Sequence, residues 1–538
     1  FLEIFGLFNL FVFINFITSP DDNGSISLIL NFFNVFNIST ELFFLLLTCS
    51  LIIFSSIFFI FGGFINNLIS QKIGVSLSKR IFSIYLSQNL NIVNKIRENE
   101  VFNTLITQVQ RVTNGIIYSL LNLISRFLLS FLIIGMLTYL NPFVSLVVLT
   151  IFSALYFLFY FFNKKKVKEF GLLISNLHER KIKIIRESFS NNKFIFLNQN
   201  FDILNKEFDK ISSKLALIAA KNHIIPHFPK TAFEIIAIIL FCIYFFIFRN
   251  TETFIEDLLV IPFYLACILK IMPLATNIYS SVISYNLNKS ALDDLIKMYN
   301  SFSIKKLDIK KKLILKKSVK IYVKSFNYSK KETLFKDVIL EFKRGYTYSI
   351  KGISGSGKSS LLNLITGYYL DSRCAIEIDN KKIDVKKNQF KYTSLFNYVG
   401  AESFFLDDTI LNNIIFSYSD KPQFDGERIK KILQISSLNN VFKKSKINLN
   451  TVIKNNAELL SNGQKQRLAL CRSLYQKSDI LILDEATNSL DINSELKIIR
   501  NIRINFPNMI IINVSHRNNL DKVSDVIIQI KNKKFIQK

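Results

Sequence analysis

The sequence predicts a multidomain chain: an all-α polytopic membrane domain of six transmembrane helices, followed by an α/β domain built on a phosphate-binding loop. Three observations predict it. Apolar runs of bilayer length recur six times before residue 284. From Ser318 onward, short β-branched runs alternate with helical ones. The pattern GxxxxGK[ST] stands at Gly352–Ser359, between a strand-like and a helix-like segment.

The composition agrees with two unlike halves. The 538 residues are 50% hydrophobic, with a net charge of +28. Residues 1–300 hold 25 Lys/Arg against 18 Asp/Glu, and the remainder holds 43 against 22. Most of the basic surplus therefore belongs to the second half. These figures exclude a disordered, a collagen-like and a disulfide-stapled secreted chain. The five cysteines form no CxxC pair and only four histidines are present, so metal-ligand spacing is absent. A strongly basic chain invites a nucleic-acid reading. Here the lysines are scattered, not gathered into one stripe, and no nucleic-acid partner is expected.

The apolar runs fall at 1–17, 42–65, 116–140, 142–162, 232–248 and 258–283. One such run fits a buried soluble helix; six would need an implausibly large apolar core. The first has no charged n-region and is not read as a signal peptide. It also opens without Met, and the natural start is expected upstream. The loops divide by charge. Residues 18–40 contain no Lys or Arg, the third and fourth runs are joined by little more than Asn141-Pro142, and 249–257 has one Arg against three acids. These face outside. Segments 72–111 and 163–230 are rich in Lys and Arg, look helical, and face the cytoplasm. The stretch 26–38 alternates Asn with large apolar residues and suits either the outer interface or a cap on helix ends. The limits are then 1–298 for the membrane domain, 299–317 for a Lys-dense linker, and 318–538 for the α/β domain.

In the phosphate loop, Gly352, Ser354, Gly355, Ser356 and Gly357 let backbone N–H groups wrap a phosphate. The helix that follows, from Lys358 through Ser359 and Ser360, adds its N-terminal dipole. Lys358 would reach the β- and γ-phosphates, and the Ser359 hydroxyl would ligate Mg²⁺. The second signal is ILILDEAT at 480–487, an apolar strand with Asp484 and Glu485 at its C-terminal end, where nucleotides bind in open α/β sheets. Asp484 suits Mg²⁺, and Glu485 suits a general base for an attacking water. Between these lies LLSNGQKQR at 459–467, a turn opening a helix.

The order GISGSGKSS, LLSNGQKQR, ILILDEAT, Asn488-Ser-Leu-Asp491 and NVSHR resembles the nucleotide-binding domain of ATP-binding cassette (ABC) proteins. Six membrane helices in front resemble a half-transporter of the exporter (type IV) kind, which implies short coupling helices near 85–105 and 185–200. Segments such as NNKFIFL and Lys270-Ile-Met-Pro273 are most similar to the bacterial lipid-linked oligosaccharide flippases. The resemblance implies that Tyr328 stacks on adenine and that Ser461, Asn462, Gly463 and Gln464 are the signature, which completes the partner's site. It implies that Asp491 is the communicating D-loop residue and that His516 is the switch histidine at the γ-phosphate. Lys358, Glu485 and His516 would then be catalytic, with ATP and Mg²⁺ as cofactors. The chain would act as a homodimer, or a heterodimer with another half-transporter. It would flip or export a lipid-linked or amphipathic substrate across the bacterial inner membrane.

There are departures from the family pattern. The signature carries Asn462 where Gly is usual; Asn tolerates positive φ, which would preserve the turn. Gly400-Ala401-Glu402 stands where a lid-loop Gln is expected, and Lys454-Asn455-Asn456 replaces a Gly/Glu loop. Arg126 and Lys270 lie inside apolar runs, where cations face a cavity, pair or snorkel. Lys270 either faces a substrate cavity and attracts an anionic group or snorkels to an interface. Two other readings stand beside the flippase: a peptide, drug or lipid exporter, and a regulatory membrane protein that binds ATP without productive turnover.

Overall fold

The structure, a computed structural model, describes residues 40–94, 96–140, 142–248, 254–302, 313–327, 333–369, 371, 373–445, 447–454, 457–515, 517–531 and 534–537. The first apolar run, the 26–38 stretch, Tyr328, Asn455, Asn456 and His516 lie outside these residues. The chain divides into two compact units, Phe1–Gln88 with Lys95–Ile304, and Asn89–Asn94 with Lys305–Lys538.

The first unit is helical. Its long helices are α1 (Thr40–Leu86), α2 (Glu98–Tyr139), α3 (Pro142–Ser190), α4 (Phe201–Ile224), α5 (Phe228–Phe248) and α6 (Phe254–Ser301). The 47 residues of α1 correspond to about 70 Å of helix, roughly twice the hydrocarbon thickness. The basic segments that follow the second and fourth apolar runs are thus continuations of membrane helices. Among the described residues, Leu45–Leu86, Glu98–Tyr139 and Cys267–Ser301 are long and apolar enough to cross a membrane. Helices α3 and α5 carry the fourth and fifth predicted runs. Exposed Phe54, Phe58, Phe61, Phe127, Phe131, Phe161 and Phe162 suit lipid better than water. Short helices occur within the two segments rich in Lys and Arg, Asn192–Leu197 in this unit and Leu90–Val93 in the second.

Apolar clusters tie these helices together. Ile133, Phe152, Phe233, Cys267, Ile271 and Leu274 pack at membrane level, and Leu177, Ile211 and Ile218 join α3 to α4. A polar junction is built on Arg111 of α2. Its Nε donates to Asn288 Oδ1 at 3.1 Å, and its Nη1 donates to Ser175 Oγ at 2.7 Å and Gln108 Oε1 at 3.1 Å. Its Nη2 donates to the carbonyls of Leu287 at 3.1 Å and Gly171 at 3.3 Å. One guanidinium thereby bridges α2, α3 and α6. Glycine makes the close approach possible: a Cβ at Gly171 would overlap the Leu287 carbonyl, and one at Gly115 would overlap Asn288. The Arg111 turn lies between two π-helical turns, Thr104–Gln108 and Thr113–Ile117, a distortion typical of functional helix segments. Arg126 lies over the Phe59 ring at 3.7 Å, so this intramembrane cation meets an aromatic face.

The second unit has two main sheets, beside a two-stranded one that pairs β7 (Asp408–Thr409) with β8 (Val452–Ile453). The strands of the first are β1 (Ser318–Phe326), β2 (Phe335–Lys343), β4 (Cys374–Ile378) and β5 (Lys381–Ile383), antiparallel in the order β2-β1-β4-β5. The six-stranded sheet runs β12-β11-β3-β10-β9-β6. Its strands are β3 (Thr347–Gly352), β6 (Phe396–Gly400), β9 (Ile480–Asp484), β10 (Ile510–Val514), β11 (Val526–Lys531) and β12 (Lys534–Gln537). All adjacent pairs are parallel except β11–β12. The first four residues of β9 and all of β10 are buried, as expected for central parallel strands covered on both faces. One core fills the space between the two sheets, and a second joins β9 and β10 to the flanking helices. Helices α7 (Lys358–Ile365), α8 (Asn462–Tyr475) and α9 (Ile492–Asn505) carry the remaining motif residues.

Removing the Arg111 side chain would leave several buried acceptors without a donor, each costing about 1–3 kcal/mol. Arg111→Ala is expected to lower the stability of the detergent-purified protein by about 3 kcal/mol, and Arg111→Lys to recover only part of it. Thermal melts that match the parent would remove the junction from this role.

Candidate functional site

Register brings the chemistry to one edge. Ile350 of β3 pairs with Val514, Val514 with Asp484, and Asp484 with Gly400. The C-terminal ends of β3, β10, β9 and β6 therefore lie side by side, the usual place for a ligand in a parallel sheet.

The phosphate loop leaves β3 at Gly352 and enters α7 at Lys358. Gly355 and Gly357 have φ of +77° and +96°, backbone that favours glycine. A Cβ at Gly357 would stand 2.6 Å from the Phe335 ring, whereas one at Gly355 would meet open space. Lys358 folds back over the loop, its Nζ donating to the carbonyls of Gly352 at 2.8 Å and Ile353 at 3.0 Å. Burial holds the Lys358 pKa below its ordinary value, against the opposing pull of Glu485 and Asp484. Ser356 Oγ is buried without a hydrogen-bond partner, a donor awaiting an acceptor. Ser354 is exposed, while Ser359 and Ser360 are in the first turn of α7.

Asp484 accepts a 2.9 Å hydrogen bond from the Tyr398 hydroxyl. Burial raises the Asp484 pKa, the Tyr398 bond lowers it, Glu485 raises it and Lys358 lowers it. Glu485 sits at φ +54°, uncommon for a residue with a side chain and frequent where function demands it. It is held there by its N–H donating to Val514 O at 2.9 Å, while Asn488 Nδ2 donates to its Oε2 at 3.2 Å.

Ser461 caps α8 in a reciprocal capping box. Its N–H donates to Gln464 Oε1 at 2.9 Å, and the Gln464 N–H donates to Ser461 Oγ at 3.4 Å. Asn462 is the first helical residue and is not among those with positive φ. The tolerance of Asn for positive φ is therefore not what preserves the turn; the cap is. Ser461 and Asn462 are exposed. Gly463 packs near Leu490, and Gln466 Oε1 accepts from the Ser489 N–H at 3.0 Å, which ties α8 to the D-loop. Asp491 caps α9, accepting from the Ser494 N–H at 2.9 Å.

Sequence reasoning missed three residues here: Tyr398, Arg517 and Glu495. Arg517 follows His516 directly. Its Nη1 donates to Leu490 O at 2.8 Å and its Nη2 to Asn488 O at 2.6 Å. It also faces the fully buried Glu495 at 3.7 Å, whose other oxygen accepts from the Thr487 hydroxyl. Arg517 is thus bonded to the D-loop. A basic residue beside the switch-histidine position was the available signal.

In the membrane unit, an open cavity of about 470 Å³ lies between α2, α3 and α6. Phe127, Ile134, Phe152, Tyr156, Ile271, Ala275 and Tyr279 are among its lining. Lys270, next to Ile271 on α6, is half-buried and does not line this cavity.

The cassette residues fit a magnesium nucleotide. The buried Ser356 hydroxyl, the open Gly355 and the loop amides suit phosphate. The Ser359 hydroxyl and Asp484 carboxylate are the hard oxygen donors that Mg²⁺ takes.

The family described as ABC transporter matches residues 335–488, and the ABC transporter transmembrane region matches 5–278. The chain is 37% identical over 220 residues to an ATP-dependent lipid A-core flippase of Wigglesworthia glossinidia brevipalpis, covering 40% of this chain and 36% of that protein. It is 33% identical over 203 residues to a microcin-J25 export ATP-binding/permease protein of Escherichia coli, covering 38% and 34%. A lactococcin-G-processing and transport ATP-binding protein of Lactococcus lactis is 33% identical over 217 residues, covering 40% and 30%. The chain thus spans about a third of the length of these curated relatives. A bacterial Atm1-family ABC exporter with ATP bound superposes with a TM-score of 0.77 at 19% identity, covering 99% of this chain and 92% of that one. This likeness is one of fold.

The glycines rank the loop's tolerance. Gly355→Ala is expected to cost about 1–2 kcal/mol for its left-handed backbone. Gly357→Ala adds the clash with Phe335 and should weaken binding of a fluorescent ATP analogue further. A reversed order in parallel binding titrations would contradict the loop geometry.

Proposed function

The chain belongs to the ABC transporter family, and on that premise we propose that it is an ATP-driven exporter or flippase of an amphipathic, lipid-like substrate. The observation that carries the reading is the alignment of Ile350, Val514, Asp484 and Gly400 at one sheet edge, two residues before the phosphate loop opens at Gly352, in a chain that also carries an ABC transporter transmembrane region. ATP would be held by the phosphate loop, with Lys358 countering phosphate charge and Glu485 accepting a proton from the attacking water. Mg²⁺, when bound at Ser359 and Asp484, would neutralise charge on the phosphates. Tyr328 and His516 take the adenine-stacking and switch roles that the family resemblance implies.

Two copies would be needed. The exposed Ser461 and Asn462, on a preformed capped helix start, support presentation of the signature to the nucleotide of a partner subunit. A homodimer is the simplest assembly, with a second half-transporter as the variant. The apolar cavity between α2, α3 and α6 suits an acyl or isoprenoid chain, and Lys270, on α6 but outside that lining, would attract an anionic headgroup held beyond the cavity. A lipid-linked oligosaccharide meets both demands, as does another anionic lipid. The place of work is the bacterial inner membrane, with the cassette in the cytoplasm.

One observation favours a second reading. Ala401 and Glu402 are both exposed beyond β6, and Ala401 carries no ligand for Mg²⁺, which suits a regulatory protein that binds ATP without turnover. ATPase measurements in nanodiscs separate the two. Steady turnover that Glu485→Gln lowers at least a hundred-fold, with ATP then trapped in a stable dimer, is expected for the transporter. Absence of turnover in the parent protein favours the regulator. Among substrates, anionic lipids are expected to stimulate turnover more than neutral ones. Lys270→Ala should reduce that difference; equal stimulation in both proteins removes Lys270 from the substrate path.

A further inference from the structure

Tyr398 has a role that the motifs do not announce. It lies on β6, which ends the order of the six-stranded sheet, and two residues later comes Gly400, whose register partner is Asp484. Residues two apart share a face of a strand. The Tyr398 ring therefore has room to lie along β6 over Gly400, and it does: a Cβ on Gly400 would stand 3.1 Å from the ring and 3.2 Å from the hydroxyl. The hydroxyl then reaches Asp484 Oδ2 at 2.9 Å. The side chain remains 55% exposed, so the ring is not placed there by burial.

We propose that Tyr398 is a positioning residue that orients the Asp484 carboxylate for a magnesium nucleotide, in a space that Gly400 keeps open. A carboxylate turns broadly about its last bond. A donor fixed on one oxygen decides which oxygen is presented to a cation, and a bond to a charged acceptor is among the stronger ones. Tyr398 grips Oδ2 and leaves Oδ1 for the metal. Ala401 and Glu402 are exposed beyond the strand, so β6 reaches Asp484 through Tyr398. The inference rests on the reading of Asp484 as a Mg²⁺ ligand.

Tyr398→Phe removes the hydroxyl and keeps the ring. The test is binding of a fluorescent ATP analogue to the full-length protein in nanodiscs, titrated with Mg²⁺. The expected result is a rise of roughly ten-fold in the Mg²⁺ concentration for half-saturation, the scale of one charge-assisted hydrogen bond. Binding without Mg²⁺ should stay within about two-fold of the parent and the melting temperature should be unchanged, which a merely structural role would not produce. Gly400→Ala, which displaces the ring, should shift Mg²⁺ dependence in the same direction, and the double variant should be no worse than Tyr398→Phe alone. A Mg²⁺ dependence unmoved in Tyr398→Phe overturns the proposal, as does an equal loss of Mg²⁺-free binding. If the parent binds no more analogue than Lys358→Ala, the nucleotide-site reading itself fails, an outcome distinct from the other two.

Discussion

The nucleotide-binding half depends on the parallel register of four strands. β3, β10, β9 and β6 pair so that Ile350, Val514, Asp484 and Gly400 fall in one row. The motifs at the strand ends follow from that row. The phosphate loop begins two residues past Ile350, the acidic pair ends β9, Ser515 follows β10, and the lid-loop position follows Gly400. A slip of one residue in any pairing would send alternate side chains to the opposite face. The all-apolar strands Ile480–Leu483 and Ile510–Ile512 resist such a slip only weakly by pattern, since both faces are buried. The specific bonds at the ends, Glu485 N–H to Val514 O and Ile510 N–H to Asp479 O, add what the pattern lacks.

The membrane half solves a different problem with different means. Its helices are apolar on most faces, so hydrophobicity alone does not choose how they pack. Small residues and polar groups make the choice. Gly74, Gly115 and Gly171 each sit where a Cβ would strike Thr113, Asn288 or the Leu287 backbone. Arg111 then supplies donors to acceptors on α2, α3 and α6 together. The resulting junction is directional where the surrounding contacts are not.

Much of this was legible in the sequence. The phosphate loop, the acidic strand and the helix start at Ser461 are local, and local patterns carry their own geometry. The apolar runs likewise announce helices. Four features were not legible, each because it joins residues far apart in the chain. Tyr398 meets Asp484 across 86 positions, through a register no motif encodes. Arg517 binds the D-loop carbonyls across 27 and 29 positions. Glu495 looks like an ordinary acid in the first turn of a helix and is fully buried. Arg111 reads as one of several cytoplasmic cations, but it is the centre of a three-helix junction. The argument for Asn462 also changed: a capping box makes its backbone ordinary, so side-chain chemistry, not dihedral freedom, is what this position varies.

The left-handed backbone at Glu485 bears on entropy. Its N–H is committed to Val514 and its side chain to Asn488. The residue is therefore held at both its backbone and its carboxylate, by β10 and by the turn that follows β9. Ordering a side chain of this length costs up to about 2 kcal/mol of rotamer freedom, and here bonds within the fold itself offset most of that cost.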